Sequence, residues 1–335
     1  MNYESRIKNM INKHRIIFMG TTELAADILD RLIQSEIYKP DLVITQPDKP
    51  TGRKQILTSP PVKQRIMNHE SRIKGGIKIF QPDKLKDAGV IAKIKEEKPD
   101  IIIVAAYGKI IPQEILDIPP FGILNVHGSL LPLLRGASPV QTAILEGHKE
   151  TGPTIMVVDE ELDHGPILAQ KAFPIALDET AITLMRKMAE VGADLLLEVL
   201  SLWFAGKIQP KEQNDSKATL TKIFQKEDGE IKPDMDAEYI ERMIRAFNPW
   251  PGAYMNYESQ IKNHKSKKKI LKILKARISE CGNKLPPMSF FLTSDKKLAL
   301  NTAKDCLILE TVQPEGKKPM SGYDFYLGSK FIIKA

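Results

Sequence analysis

Phe121-Gly122-Ile123-Leu124-Asn125-Val126-His127-Gly128-Ser129-Leu130-Leu131-Pro132-Leu133-Leu134-Arg135-Gly136-Ala137-Ser138-Pro139 is the stretch from which the fold of this chain is read. The apolar pair Ile123-Leu124 opens a strand, and strand alternation places Asn125 and His127 on one face at its carboxyl end. Open α/β sheets bind their ligands at that end of their strands. Gly128, Pro132, Gly136 and Pro139 then follow too closely for a helix or a strand. They predict an ordered loop of fixed path. An amide, an imidazole and a shaped loop make a candidate active site.

Upstream, the chain alternates strands and helices. Arg15 to Met19 reads as a first strand turning at Gly20-Thr21-Thr22, and Leu24, Ala25, Ile28, Leu29 and Leu32 have helical spacing. Only Gly20 of a G-x-G-x-x-G fingerprint is present, so a dinucleotide is not expected. Residues 41–45 form a second strand, 77–80 a third, 88–98 a helix and 100–106 a strand buried on both sides. Between the second and third strands lies Gln46-Pro47-Asp48-Lys49-Pro50-Thr51-Gly52-Arg53-Lys54-Gln55. This basic excursion is longer than a compact connection needs. It is either a disordered surface loop or an arm that touches a phosphate-bearing substrate.

Downstream, 140–145 reads as a helix, 154–158 and 167–170 as strands, and 180–204 as a long amphipathic helix stopped by Gly206. The whole predicts a Rossmann-like, mostly parallel sheet with helices on both faces. Residues 207–221 are polar and without periodicity. The expected organisation is a first domain over 1–206, a linker over 207–221 and a second domain over 222–335. A helix at 237–247 and short strands at 270–278, 289–293, 297–300 and 306–312 give the second domain the pattern of a small OB-like β-barrel.

Composition narrows the classes. In 335 residues, 42% hydrophobic and 27% charged describe a globular protein large enough for two cores. The apolar run Ile101 to Ala106 is strand-length and far short of the roughly 20 residues that span a bilayer, so no membrane role is expected. The polar first residues lack a secretory apolar segment. Cys281 and Cys306 are too few for a disulfide scaffold or a zinc site, which fits a cytoplasmic protein. Charge is uneven: residues 207–335 hold 24 Lys+Arg against 16 Asp+Glu, whereas residues 1–206 hold 25 against 26. The resulting +8 and −1 place the basic excess, including Lys262, Lys265, Lys267, Lys268 and Lys269, in the second domain. This is either a solvated Lys-rich surface or the footprint of an anionic macromolecule.

Asn125, His127 and Asp163 each fall at or just past a predicted strand end, where one crevice collects them. An amide and an imidazole can donate to a developing oxyanion, and a carboxylate orients the imidazole. There is no G-x-S-x-G elbow and no placed cysteine. Direct acyl transfer to a substrate amine suits the set. The bland alternatives are a strand-end cap for Asn125 and a turn residue for Asp163 before His164-Gly165-Pro166.

At Asn125 to Pro139 the sequence closely resembles the folate-binding signature of the 10-formyltetrahydrofolate-dependent formyltransferases. T-Q-P-D-K-P-T-G-R at 45–53, V-A-A-Y-G at 104–108, E-T-G-P-T-I-M at 150–156 and R-A-F-N-P-W-P at 245–251 extend the resemblance over nearly the whole chain. The 45–53 and 245–251 segments resemble the branch of the family that acts on initiator methionyl-tRNA. The resemblance implies a formyltransferase domain followed by a tRNA-binding barrel, with 10-formyltetrahydrofolate as co-substrate and no metal. It implies that Asn125 holds the formyl oxygen, His127 stabilises the oxyanion and Asp163 orients His127. It further implies that Ser129, Leu130, Leu131 and Pro132 line the folate cleft and that Arg53 with Lys54 reaches the tRNA acceptor end. A monomer is the expected assembly.

The chain departs from the family at Thr22 and Leu24, where Pro and Phe are usual, and at Glu161-Leu162-Asp163-His164, where Gly-Leu-Asp-Thr is commoner. His164 is expected to be a bystander. The rivals are a formyltransferase for a small amine, such as glycinamide ribonucleotide or an amino sugar, and a non-catalytic RNA-binding protein. Met1 to Asn9 recurs at Met255 to Asn263 and loosely at Met67 to Gly75, a repeat that carries no chemistry.

Overall fold

A computed structural model of the chain describes residues 14–35, 37–52, 54–69, 76–260, 266–280 and 285–328. They form two compact units. The first takes the chain up to Pro139, then Glu150–Pro174 and Met185–Thr221; the second takes Val140–Lys149, Ile175–Leu184 and the chain from Lys222 onward.

The first unit is laid down as strand β1 (Ile16–Gly20), helix α1 (Glu23–Gln34), β2 (Leu42–Ile44), the hairpin β3 (Lys49–Thr51) and β4 (Ile56–Thr58), α2 (Pro61–His69), β5 (Lys78–Phe80), α3 (Ala88–Glu96), β6 (Ile101–Ala105), α4 (Gln113–Leu116) and β7 (Ile123–His127). Strands β5-β2-β1-β6-β7 lie side by side and parallel. After the short β8 (Arg135–Gly136) the chain forms α5 (Pro139–Leu145), nearly all of it in the second unit. It re-enters through β9 (Glu150–Thr151), and β10 (Thr154–Val157) runs antiparallel against β7. A strand that returns from the end where its neighbour left needs no crossover and must run antiparallel. β11 (Ile167–Gln170) turns back beside β10, and β12 (Phe173–Pro174) pairs β9.

Alternation along the strands sorts the core into two layers. Ile16, Phe18, Ile101, Ile103, Leu124, Val126 and Ile155 pack with α1 and with Ala189, Leu196 and Leu200 of α6 (Ala181–Phe204). Ile17, Met19, Leu42, Ile44, Ile102, Val104 and Ile123 pack on the other face with Ile94 of α3 and Ile115 of α4. Thr22, one of the departures noted above, caps α1 by accepting the Ala25 N–H at 3.5 Å. At Gly20 a β-carbon would stand 2.6 Å from the Phe18 ring and 2.7 Å from Ala25 Cβ, so only glycine lets β1 turn into α1 here.

Two local readings change. The excursion after β2 is a hairpin with an anchored base: Asp48 accepts from Ser59 Oγ (2.9 Å), Lys63 Nζ (2.9 Å) and Gln81 Nε2 (2.8 Å). Those bonds, Gln81 first and Lys63 next, hold the Asp48 carboxyl down at about 2. Helix α2 gives no periodicity signal because, among its described side chains, only Val62 and Ile66 are buried. Met67–His69 end that helix, while the similar opening Met255-Asn256-Tyr257 lies inside the strand Tyr254–Gln260; packing partners, not the local sequence, decide between them.

The linker expected over 207–221 is packed into the first unit. Lys211 makes a two-bond bridge with Ile167, and β13 (Leu220–Thr221) pairs β8 in parallel. Its polarity reflects hydrogen-bond partners in a loop rather than in a core.

In the second unit, Asp236 Oδ1 accepts the Tyr239 N–H at 2.7 Å and caps α7 (Ala237–Ala246). Arg242 Nε donates to Leu145 O and Arg245 Nη1 to Glu179 O, each at 2.9 Å, which gathers two stretches of residues 1–206 into this unit. Strands β14 (Tyr254–Gln260), β15 (Ser266–Ser279), β16 (Phe290–Leu292), β17 (Leu298–Asn301), β18 (Cys306–Pro314) and β19 (Met320–Ser321) form an antiparallel half-barrel in the order β14-β15-β18-β17-β16, with β19 beside β18. Helix α8 (Gly322–Gly328) closes on it through Phe325, edge-on to Tyr257 at 5.4 Å. Lys267–Lys269 lie on β15; Lys262 and Lys265 lie outside the described residues.

Candidate active site

Strand β7 sits between β6 and β10, with Asn125 opposite Val104 and Met156, and His127 opposite Thr154. Its backbone is therefore paired on both edges. Leu124 and Val126 point into one core layer and Ile123 into the other, so Asn125 and His127 share the face of Ile123. Asp163 arrives from the loop between β10 and β11 with φ 49°. The structure brings the three together. Asn125 Nδ2 donates to Asp163 Oδ1 at 3.3 Å, and His127 Nδ1 stands 3.5 Å from the same oxygen. Gly136 N donates to Asp163 Oδ2 at 2.8 Å.

His127 is 6% exposed and its Nε2 lies 3.1 Å from Leu134 O. A carbonyl only accepts, so Nε2 carries the hydrogen. Nδ1 faces a carboxylate oxygen of Asp163. An arrangement of this kind is able to balance a transient negative charge and manage a departing proton.

The loop after β7 is held along its length. Thr154 Oγ1 donates to Ser129 O (2.5 Å) and accepts from Leu131 N (3.1 Å), while Gln170 Nε2 donates to Leu131 O (2.8 Å). Leu134 N donates to Thr219 Oγ1 and Arg135 N to Thr219 O, both at 2.8 Å. Gly136 adopts φ 110°, and a β-carbon there would meet Thr221 O at 2.8 Å. Of the expected folate-lining residues, Ser129 and Leu131 are buried, and Ser129 Oγ donates to Leu133 O at 2.5 Å. Leu130 and Pro132 are half-buried and keep surface for a ligand.

Thr154, Gln170, Gln213 and Thr219 were not singled out by sequence reasoning. Only Thr154 fell within a recognised segment; the others hold the site through hydrogen bonds that no periodicity announces. His164 Nδ1 donates to Asp159 Oδ2 at 2.7 Å and its Nε2 lies 3.5 Å from Asp215 Oδ2. The Asp159 hydrogen bond raises its pKa above the ordinary histidine value. Lys54 is exposed at the turn of the hairpin, and Arg53 lies outside the described residues. The hairpin leaves the same end of the sheet as His127. β2 is three strands along from β7, about 14 Å at the usual strand spacing. Among the described residues no cluster of His, Cys, Asp and Glu could hold a metal, and no helix is long and apolar enough to cross a membrane.

Two family models match the chain: "Formyl transferase" over residues 14–200 and "Formyl transferase, C-terminal domain" over residues 223–330. It is 40% identical to the methionyl-tRNA formyltransferase of Roseiflexus castenholzii, over 94% of this chain and 96% of the relative. With that of Caldicellulosiruptor saccharolyticus it shares 42% over 94% and 97%. Among solved structures, the N-formyltransferase from Helicobacter canadensis in complex with folinic acid and dTDP-3-aminofucose has the same fold. Its TM-score is 0.58 at 18% identity, covering 88% of this chain and 97% of that one. The chain belongs to the formyl transferase family.

Proposed function

We infer that this member of the formyl transferase family transfers the formyl group of 10-formyltetrahydrofolate to the α-amino group of methionyl-initiator-tRNA. The observation that carries the reading is the convergence of Asn125, His127 and Asp163 at the carboxyl end of β7, in a chain matched along nearly its full length by tRNA-directed relatives. The folate supplies an activated formyl carbonyl when bound. Leu130 and Pro132 line its cleft. The Asn125 amide donates to the formyl oxygen, and the His127 imidazole, once protonated on both nitrogens, balances the charge that develops there. Asp163 orients His127 and relays the proton leaving the amine to N10 of the folate, whose bond to the formyl carbon breaks as the new amide bond forms. Asparagine, histidine and aspartate suffice because the substrate amine is itself the nucleophile.

Arg53 and Lys54, in the basic excursion that follows the second strand in sequence, reach the acceptor end. The +8 balance of residues 207–335 provides salt-sensitive contacts to the RNA backbone, which a small amine acceptor would not require. The protein works as a cytoplasmic monomer. The test is a formyl-transfer assay offering methionyl-initiator-tRNA and glycinamide ribonucleotide in parallel. Transfer to the tRNA alone, weakening as salt rises, is expected. Transfer to the small amine alone would sink the tRNA assignment and keep the site.

A further inference from the structure

The Asp163 carboxylate is aimed from its backbone. Its φ of 49° lies in the left-handed region, which costs a residue with a β-carbon about 1 kcal/mol or more unless its surroundings fix it. Gln213 fixes it. Gln213 Nε2 donates to Asp163 O at 2.9 Å and to Gly165 O at 2.8 Å, spanning the strained turn. Gln213 Oε1 accepts from Arg135 Nε at 3.1 Å and from Nη2 at 2.9 Å. Arg135 is 7% exposed and lies between the two residues that touch the site: Leu134, whose carbonyl meets His127, and Gly136, whose N–H meets Asp163. Its Nη2 also reaches Asp215 Oδ1 at 2.7 Å.

One amide thus joins the loop that carries Asp163 to the loop that contacts both Asp163 and His127. A side-chain amide suits this place because it is neutral, donates twice and accepts on its other end. Gln213 is itself held by the Ile167–Lys211 bridge two residues earlier, whose bonds measure 2.7 and 2.9 Å. We propose that Gln213, braced by Arg135, is the positioning residue that sets the Asp163 carboxylate against His127 and Asn125. It acts through Asp163, and the proposal rests on the catalytic reading of Asp163 given above.

The test separates aiming from mere stability. Gln213→Glu keeps an acceptor for Arg135 but turns an oxygen, in place of two N–H bonds, toward two carbonyls. Gln213→Met keeps the length and removes both polar ends. In each, kcat for formyl transfer falls by about tenfold to a hundredfold, the scale of a small misplacement in a site. KM for folate and tRNA stays within about twofold, measured where circular dichroism shows the variants folded. Asp163→Asn supplies the second background, since asparagine tolerates the left-handed region. There Gln213→Glu costs less than about twofold more, because a residue acting through Asp163 has nothing left to aim. Full kcat in both Gln213 variants would overturn the proposal and leave Asp163 catalytic. A multiplied loss in the Asp163→Asn background would show that Gln213 acts elsewhere. Full activity of Asp163→Asn alone would overturn the catalytic reading and this inference with it.

Discussion

The two units put their polar residues to opposite uses. In the first, the site's polar groups are few, mostly buried, and bonded to one another and to the loop that surrounds them: His127 to Leu134 O, Asp163 to Gly136 N, Thr154 to Ser129 O. In the second, charge is abundant and outward, as at Lys268, Lys275 and Arg277 of β15, all exposed. Buried polar groups must be satisfied, so their geometry is fixed and single replacements are costly. Exposed charges act as a field that no one residue owns. On the proposed function, chemistry falls to the first arrangement and macromolecular affinity to the second.

The sharpest way to break this contrast is His127→Ala. Formyl transfer should fall by about a thousandfold, the order of losing a principal oxyanion contact, while tRNA affinity measured by filter binding changes less than about twofold. A parallel loss of affinity would mean that the two uses are not separable. Gly136→Ala comes next. It places a β-carbon 2.8 Å from Thr221 O at φ 110° and disturbs the N–H that Asp163 accepts. About a hundredfold loss of kcat is expected, with a melting temperature lower by several degrees. Unchanged kinetics would show that the loop does not set the carboxylate.

The same contrast explains what the sequence revealed. Ile123-Leu124-Asn125-Val126-His127 was legible because burial of both sheet faces imposes an apolar run that polar residues interrupt only for a reason. Asp163 was legible as a carboxylate at a strand end. Gln213 and Thr219 were not, since they act through hydrogen bonds to partners about 50 and 85 residues away in the chain, in a segment whose polarity resembles that of a linker. Strand β14 was hidden for a related reason: Tyr254, Met255 and Tyr257 are buried, yet Asn256 and Glu258 give the run a mixed appearance that only its pairing with β15 resolves.

For the second unit, Lys268→Ala with Lys269→Ala should raise the Kd for tRNA several-fold at low salt and leave kcat at saturation unchanged. The slope of log affinity against log salt should shrink by about 0.7 to 0.9 for each phosphate contact removed. An unchanged slope would assign these lysines to the solvated surface and move the RNA footprint elsewhere in the unit.

The smallest effect tests the border between the two kinds of polar residue. His164 adjoins Asp163 in sequence, yet its partners are Asp159 and Asp215, and Arg135 holds Asp215 at 2.7 Å. His164→Thr should therefore leave kcat and KM within about twofold. A hundredfold loss would bring His164 into the site. Its signature lies in stability instead. The Asp159 hydrogen bond raises the folded-state pKa above the unfolded value of 6.5. The charged form therefore stabilises the fold fully below 6.5, and that contribution disappears as pH rises through the folded value. The imidazole is partly exposed, so solvent screening keeps the gain small. The wild-type chain should melt slightly above His164→Thr at about pH 6 and with it at about pH 9. A difference that grew with rising pH would mean that burial of the neutral ring, rather than its ion pairs, governs this residue.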